Sequence, residues 1–254
     1  MISKAQIKFV RSLALKKFRD REDAFLAEGP KAVEELAKAY PCRLLAATAD
    51  YLAAPHGIEA AAMLEVSPEE LGRCSQMRTP QRCLAVFDRK RADRSPLAAD
   101  NEPLTLALDG IQDPGNLGTI IRTCDWFGIR RIICSPDTAD AFQPKVVQAT
   151  MGALGRVEIV YTDLPAFFDS CSDDIPVYGM FLDGENLFTA SIDSRKAVIV
   201  MGNEGHGISD AVAAHINRRL LISSYPPGET TGESLNVSIA TAITLAEFRR
   251  RDMV

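Results

Sequence analysis

The chain has 254 residues, of which 46% are hydrophobic and 25% charged, with a formal net charge of −5. That apolar share and near-balanced charge exclude disorder as the main state. Apolar runs such as residues 197–201 fall far short of the roughly 20 residues a spanning helix needs, and the charge-punctuated N-terminus MISKAQIKFVRSLALKKFR lacks a secretory signal's apolar block, so a cytoplasmic, non-membrane protein is expected.

In chain order, Ser3 to Lys17 has helical spacing, with Ile7, Val10, Leu13 and Ala14 on one face. The first 21 residues hold seven basic side chains and one acid, Asp20. Such an arm is either a patch for a polyanion or the solvated face of a helix. Ala24 to Glu28 reads as a strand, and Gly29-Pro30 starts a helix to about Ala39. Arg43 to Ala47 and Cys83 to Phe87 read as strands with Pro68 to Cys74 helical between them, giving a small α/β domain. The segment Arg89 to Glu102 is charged, carries a proline and lacks an apolar period, so it is the expected linker between domains at residues 1–92 and 100–254. Residues 1–100 carry 17 Lys/Arg against 14 Asp/Glu, whereas residues 101–254 carry 12 against 20. A basic arm thus sits on an acidic body.

The second part alternates more regularly. Strands are expected at Leu104–Leu108, Arg131–Cys134, Val157–Tyr161, Val177–Phe181, Ala197–Met201 and Arg219–Ile222, with a last helix from about Leu235 to Arg250. Apolar strands alternating with helices predict a parallel sheet covered on both faces. Ligands in such sheets bind beyond the carboxyl ends of the strands, so the loops there matter most.

Six cysteines without a CxxC pair and three histidines without an HxxxH pair point away from a disulfide scaffold and a metal site. Three loops remain. Asp109 to Gly118 (DGIQDPGNLG) leads into a helix, with Asn116 placed as a cap and Arg122 emerging near the helix start. A cap plus a solvated arginine explains it as well as a binding loop does. Met201 to Ile208 (MGNEGHGI) has three glycines that permit close backbone approach, yet is neither GxGxxG nor GxxxxGK[ST]. By itself it reads as a glycine-rich turn with surface Glu204 and His206. Ile222 to Asn236 ends at a helix carrying an apolar stripe of Leu235, Ile239, Ile243 and Ala246, with Ser234 and Asn236 at its start. Ordinary capping accounts for those two residues, and so does ligand binding by backbone amides.

Together and in this order, DGIQDPGNLGTIIRTCDWFG, IVMGNEGHGIS and ESLNVSIATAI resemble the three motifs of the SpoU-type RNA ribose 2′-O-methyltransferases of the SPOUT superfamily. KKFRDREDAFLAEGPKAVEEL and TPQRCLAVF are similar to the small RNA-binding domain that often precedes that catalytic domain. The resemblance implies a small N-terminal α/β RNA-binding domain and a C-terminal trefoil-knotted α/β domain with a parallel sheet. It implies S-adenosylmethionine as cofactor, no metal, and a homodimer whose active site forms between subunits. The substrate implied is rRNA ahead of tRNA.

Carried over residue by residue, Arg122 is the motif arginine. Free arginine stays protonated, so the role assigned is to position an RNA phosphate and stabilise developing charge. Asn116 would orient substrate or Arg122, and Glu204 would hold Arg122 or the neighbouring helix start. Ser234 and Asn236 would complete the catalytic set. Gly202, Ile222 and Leu235 would contact the cofactor. The stretch SSYPPGETTG after Ile222 departs from the family's shorter turn and bears on that last assignment. Lys4, Lys8, Arg11, Lys16, Lys17 and Arg19 would track the RNA backbone. Two other readings compete: a catalytically silent RNA-binding module of the same fold, and a dinucleotide enzyme, against which the missing GxGxxG counts.

Overall fold

The computed structural model describes residues 2–89, 103–226, 232 and 234–253. Most of the expected linker, residues 90–102, lies outside them, as do residues 227–231 and 233 of the last loop. The chain divides into two compact units, one of Met1–Ala92 and Asp140–Arg156, the other of Asp93–Ala139 and Val157–Val254.

The first unit is a mixed four-stranded sheet. Its elements are α1 (Lys4–Ser12), α2 (Lys16–Glu22), β1 (Ala24–Glu28), α3 (Pro30–Ala37), β2 (Cys42–Ala47), α4 (Ala49–Ala53), β3 (Met63–Glu65), α5 (Pro68–Cys74) and β4 (Cys83–Asp88). The strand order is β1-β4-β2-β3, with only β2 and β3 parallel. The single helix expected from Ser3 to Lys17 is two helices. Where a continuous helix would take the carbonyls of Leu13 and Ala14 into its ladder, both accept instead from Arg19 Nη1 at 2.8 Å, and Leu15 is extended at φ −98°, ψ 130°.

Segment 140–156 packs into this unit through specific contacts. Arg19 Nε and Nη2 donate to Asp140 Oδ2, the Phe142 ring lies 5.0 Å from Phe25, and Tyr40 Oη donates to the Leu154 carbonyl. Gly152, at φ +92°, leaves room for Glu35, whose Cβ would collide with any side chain there.

The second unit is a six-stranded, wholly parallel sheet. After β5 (Leu104–Asp109) come α6 (Pro114–Trp126), β6 (Arg131–Cys134) and, beyond α7 (Pro144–Thr150) of the first unit, β7 (Glu158–Tyr161) and α8 (Leu164–Asp169). The chain then forms β8 (Val177–Asn186), β9 (Ala197–Gly202), α9 (Asp210–Ala213), β10 (Arg218–Leu221) and α10 (Val237–Asp252). The order β10-β8-β9-β5-β6-β7 puts β5 and β9 side by side with their connections leaving in opposite directions. The crevice at such a switch point is where open α/β sheets bind ligands. β5 and β9 are buried nearly throughout, which explains their unbroken apolar sequences.

The last helix presents a different face from the expected stripe. Leu235 and Ile239 are about half exposed (50% and 51%), while Val237, Ser238, Thr241, Thr244, Leu245 and Phe248 are buried. Thr241 Oγ1 and Thr244 Oγ1 donate back to the carbonyls of Val237 and Ala240 at 2.7 and 2.8 Å, so these hydroxyls are buried without an unmet hydrogen bond. No described helix is long and apolar enough to cross a membrane.

Candidate active site

The site is built from the three loops, each at the carboxyl end of a strand. At the first, Asp113 rather than Asn116 caps α6: its carboxylate accepts from the Asn116 N–H at 2.8 Å. Pro114 then takes the first helical position, where its missing N–H costs nothing. Asn116 therefore stands inside the first turn with its side-chain amide available. Arg122 is further along the same helix, exposed, and makes no hydrogen bond or ion pair among the described residues.

At the second loop, Asn203 organises the glycine-rich turn. It forms a two-way backbone bridge with Gly207 at 2.8 and 2.9 Å. Its Oδ1 accepts from the N–H groups of Gly205 and His206, and its Nδ2 donates to the Gly110 carbonyl of the first loop at 2.6 Å. Asp109 Oδ2 accepts from the Ser209 N–H at 2.7 Å, a second tie between the loops. A Cβ on Gly202 would collide with the backbone of Gly207 and Ile208, so the tight return of this loop requires glycine there.

At the third loop, Asn236 caps α10. Its Oδ1 accepts from Ser238 N at 3.0 Å and Ser238 Oγ at 2.6 Å. That fixes its amide, whose Nδ2 donates to Asn116 Oδ1 at 3.0 Å. Asn116 Nδ2 in turn donates to Glu204 Oε1 at 2.8 Å. A carboxylate only accepts, so Glu204 sets the orientation of Asn116, and Asn116 that of Asn236. One hydrogen-bond chain thus runs Glu204–Asn116–Asn236–Ser238 across all three loops.

Beside this chain is a cavity of about 510 Å³, within the range of small-molecule sites. Gly202, Ile222 and Leu235, the three residues expected to contact cofactor, all line it, together with Glu204 and Ser234. Its walls mix apolar side chains such as Phe181, Ile208 and Val237 with backbone of the glycine-rich loop. That suits a flat aromatic group whose edge is read by main-chain donors and acceptors, as S-adenosylmethionine's adenine would be.

The expected residues divide into those brought together and those set apart. Asn116, Glu204 and Asn236 are joined directly, whereas Ser234 is an exposed residue of the cavity wall. Glu204 holds the first turn of α6 through Asn116, and no bond from it to Arg122 is present. Neither Asn203 nor Ser238 stands out in the sequence. Asn203 sits inside a stretch that reads as a turn, and Ser238 reads as an ordinary helical residue.

In the basic arm, Lys4, Lys8 and Arg11 are exposed on one face of α1, Lys16 pairs with Asp20 at 3.2 Å, and Lys17 Nζ lies 5.1 Å from the Phe18 ring. Arg19 is a correction. It is 2% exposed and its guanidinium is spent on Leu13, Ala14 and Asp140, so it is scaffold rather than a contact for RNA.

The SpoU rRNA Methylase family model matches residues 103–246, and the MRM3-like substrate binding domain model matches residues 4–85. The chain is 29% identical over 246 residues, 96% of each chain, to the 23S rRNA (guanosine(2553)-2′-O)-methyltransferase RlmP of Bacillus subtilis. Among solved structures, it is 30% identical to an AdoMet-bound rRNA methyltransferase from Sinorhizobium meliloti (TM-score 0.80, covering 99% of this chain and 96% of that one). It is 47% identical to a Porphyromonas gingivalis protein described as belonging to the TrmH family (TM-score 0.87, 99% of both chains).

Proposed function

The chain belongs to the SpoU rRNA Methylase family, and from that membership and the three-loop site we propose that it methylates a ribose 2′-hydroxyl of rRNA using S-adenosylmethionine. The observation that carries this reading is the Glu204–Asn116–Asn236 chain beside the cavity, with Arg122 exposed, and without a partner among the described residues, on the helix that holds Asn116. S-adenosylmethionine, when bound, supplies an electrophilic methyl on a sulfonium. The new bond is O–CH₃, the S–CH₃ pair returns to sulfur, and the 2′-hydroxyl proton leaves to solvent or a nearby base. What the chain must supply is alignment and charge control. Gly202, Ile222 and Leu235 would hold the cofactor, and the locked Asn116 amide would set the floor against which the ribose lies. Arg122, permanently charged, would clamp the adjacent phosphate and stabilise the developing alkoxide. An intact chain of polar partners is what a catalytically silent module would have no need to keep.

The expected split gives RNA binding to residues 1–92 and chemistry to residues 100–254; the two-unit division amends it by setting residues 140–156 with the RNA-binding part. Lys4, Lys8 and Arg11 would meet phosphates. The return of the chain from edge strand β10 to α10, which packs against α6 and β9, supports a trefoil knot around the cofactor loop. Trp126 on α6 is 85% exposed and Ile239 on α10 51%. These are single exposed apolar side chains on two helices that pack together, and they are candidate contacts for a homodimer. Sedimentation of wild-type protein as a dimer and of Ile239→Glu as a monomer checks that point. Six cysteines with no disulfide between them, five of them buried, fit a reducing, cytoplasmic compartment.

The direct test is transfer of label from radiolabelled S-adenosylmethionine into rRNA and tRNA from cells lacking this gene. Label at one rRNA nucleotide, resistant to alkaline cleavage, supports 2′-O-methylation. Bound cofactor with no transfer to any RNA or ribosomal particle contradicts it.

A further inference from the structure

The first unit has a cavity of its own, of about 570 Å³, lined by no residue of the three loops. Its apolar floor is Leu26 and Ala27 of β1, Met77, and Val147 of α7. Its polar lining includes three glutamines, Gln76, Gln143 and Gln148. Glu28 also lines it, but its carboxylate is occupied, accepting from the Ser75 hydroxyl and from the Gln76 N–H at 2.7 Å. That acid therefore builds the wall. Arg19 does the same from the other side, tying Ala14, another lining residue, to Asp140 just before Gln143.

The side-chain amides of Gln143 and Gln148 differ from these. Both are half-buried, and neither makes a hydrogen bond among the described residues. Each carries two donors and an acceptor, and such groups at an apolar cavity are satisfied by water or by a ligand with a matching polar edge. A nucleobase has such an edge and an apolar face. The surroundings favour a nucleic acid over a free metabolite. Lys4, Lys8 and Arg11 form an exposed row on α1, and the carbonyl of Arg11 is bonded by Gln76 Nε2 at 3.3 Å, so the cationic row runs up to the cavity wall.

We propose that this cavity accepts an unpaired base of the RNA substrate, reading its edge through Gln143 and Gln148 while the neighbouring phosphates lie along α1. This rests on the RNA-methylating reading above. It adds a second point of recognition, one that reads sequence where the lysines read only charge.

The test uses the full-length protein and 5′-labelled single-stranded hexaribonucleotides of A, C, G and U, with an abasic hexamer of equal charge, followed by fluorescence anisotropy. The wild type is expected to bind one base at least about tenfold more tightly than the abasic strand. Gln143→Leu/Gln148→Leu should erase that preference while keeping abasic affinity, melting temperature and calorimetric affinity for S-adenosylmethionine. Lys8→Ala should weaken all five strands alike. Equal wild-type binding of the abasic and base-bearing strands, in protein that still methylates rRNA, overturns the cavity proposal alone. A double variant that keeps the base preference overturns it too. Protein that methylates no RNA overturns the functional reading on which it rests.

Discussion

The small mixed sheet and the six-stranded parallel sheet treat the same side chain in opposite ways. Arg19, in the first, is buried and saturated: three protein acceptors hold it, and it ends one helix, starts another and pins segment 140–156. Arg122, in the second, is exposed with no protein partner among the described residues. A charge whose hydrogen bonds are already made is structure, whereas an exposed charge with no partner among the described residues is open to a ligand. Both arginines attract the same interest in the sequence, and only their surroundings separate them.

Their carboxylates differ as well. Burial pushes the Glu28 carboxyl above its ordinary value of 4.5 despite its bonds to Ser75 and Gln76. Hydrogen bonds from Arg250, and then Arg251, pull Glu247 down to about 2. Arg251 also donates to the carbonyls of Leu187 and Ala190, so Glu247 steadies the connection that follows β8.

The largest expected effect strikes the parallel-sheet unit at its loop. Gly202→Ala forces apart the backbone of Gly207 and Ile208, and should weaken S-adenosylmethionine binding by at least about 100-fold, near 3 kcal/mol, as read by calorimetry. Next, Arg19→Met should destabilise the small unit by about 3 kcal/mol, because it leaves Asp140 without its partner in a mostly buried position. Urea unfolding checks this, and an unchanged midpoint would place Arg19 outside the scaffold.

The smallest effect is a difference in sign with pH. Glu247 has a depressed pKa, so its contribution is present above about 4.5 and is lost as pH falls toward about 2. Glu28 has a raised one, so its favourable, protonated contribution holds at acid pH and is lost as pH rises through its folded value above 4.5. The stability deficit of Glu247→Gln should therefore shrink on acidification, and that of Glu28→Gln should shrink as pH rises. Unfolding curves between about pH 3 and pH 7 that moved both variants the same way would remove this contrast.

Much of the fold is legible in the residues. Ala24–Glu28, Pro68–Cys74 and Arg131–Cys134 form elements with the expected bounds, because strong local signals there agree with burial. The interruption at Leu13–Leu15 was hidden, since its cause is a guanidinium from the following helix. The buried face of α10 was hidden too: its threonines are polar by composition and satisfied by their own helix. β3 is three residues long with two exposed, too short to show alternation. Of the candidate site, residue types at Asn116, Glu204 and Asn236 were readable in their motifs. Their pairing was not, because sequence spacing cannot say which amide faces which carboxylate. Asn203 is unreadable in the sequence for a related reason: its role is to receive backbone N–H groups inside a turn that glycines already explain.

If Arg122 is the chemical residue, its loss removes methyl transfer and spares cofactor binding. The measurement is single-turnover methyl transfer to rRNA by Arg122→Ala at saturating S-adenosylmethionine, beside a calorimetric titration of the cofactor. The expected result is a rate lowered by about 100-fold or more with cofactor affinity within about twofold of wild type. A variant that transfers methyl at the wild-type rate would contradict it.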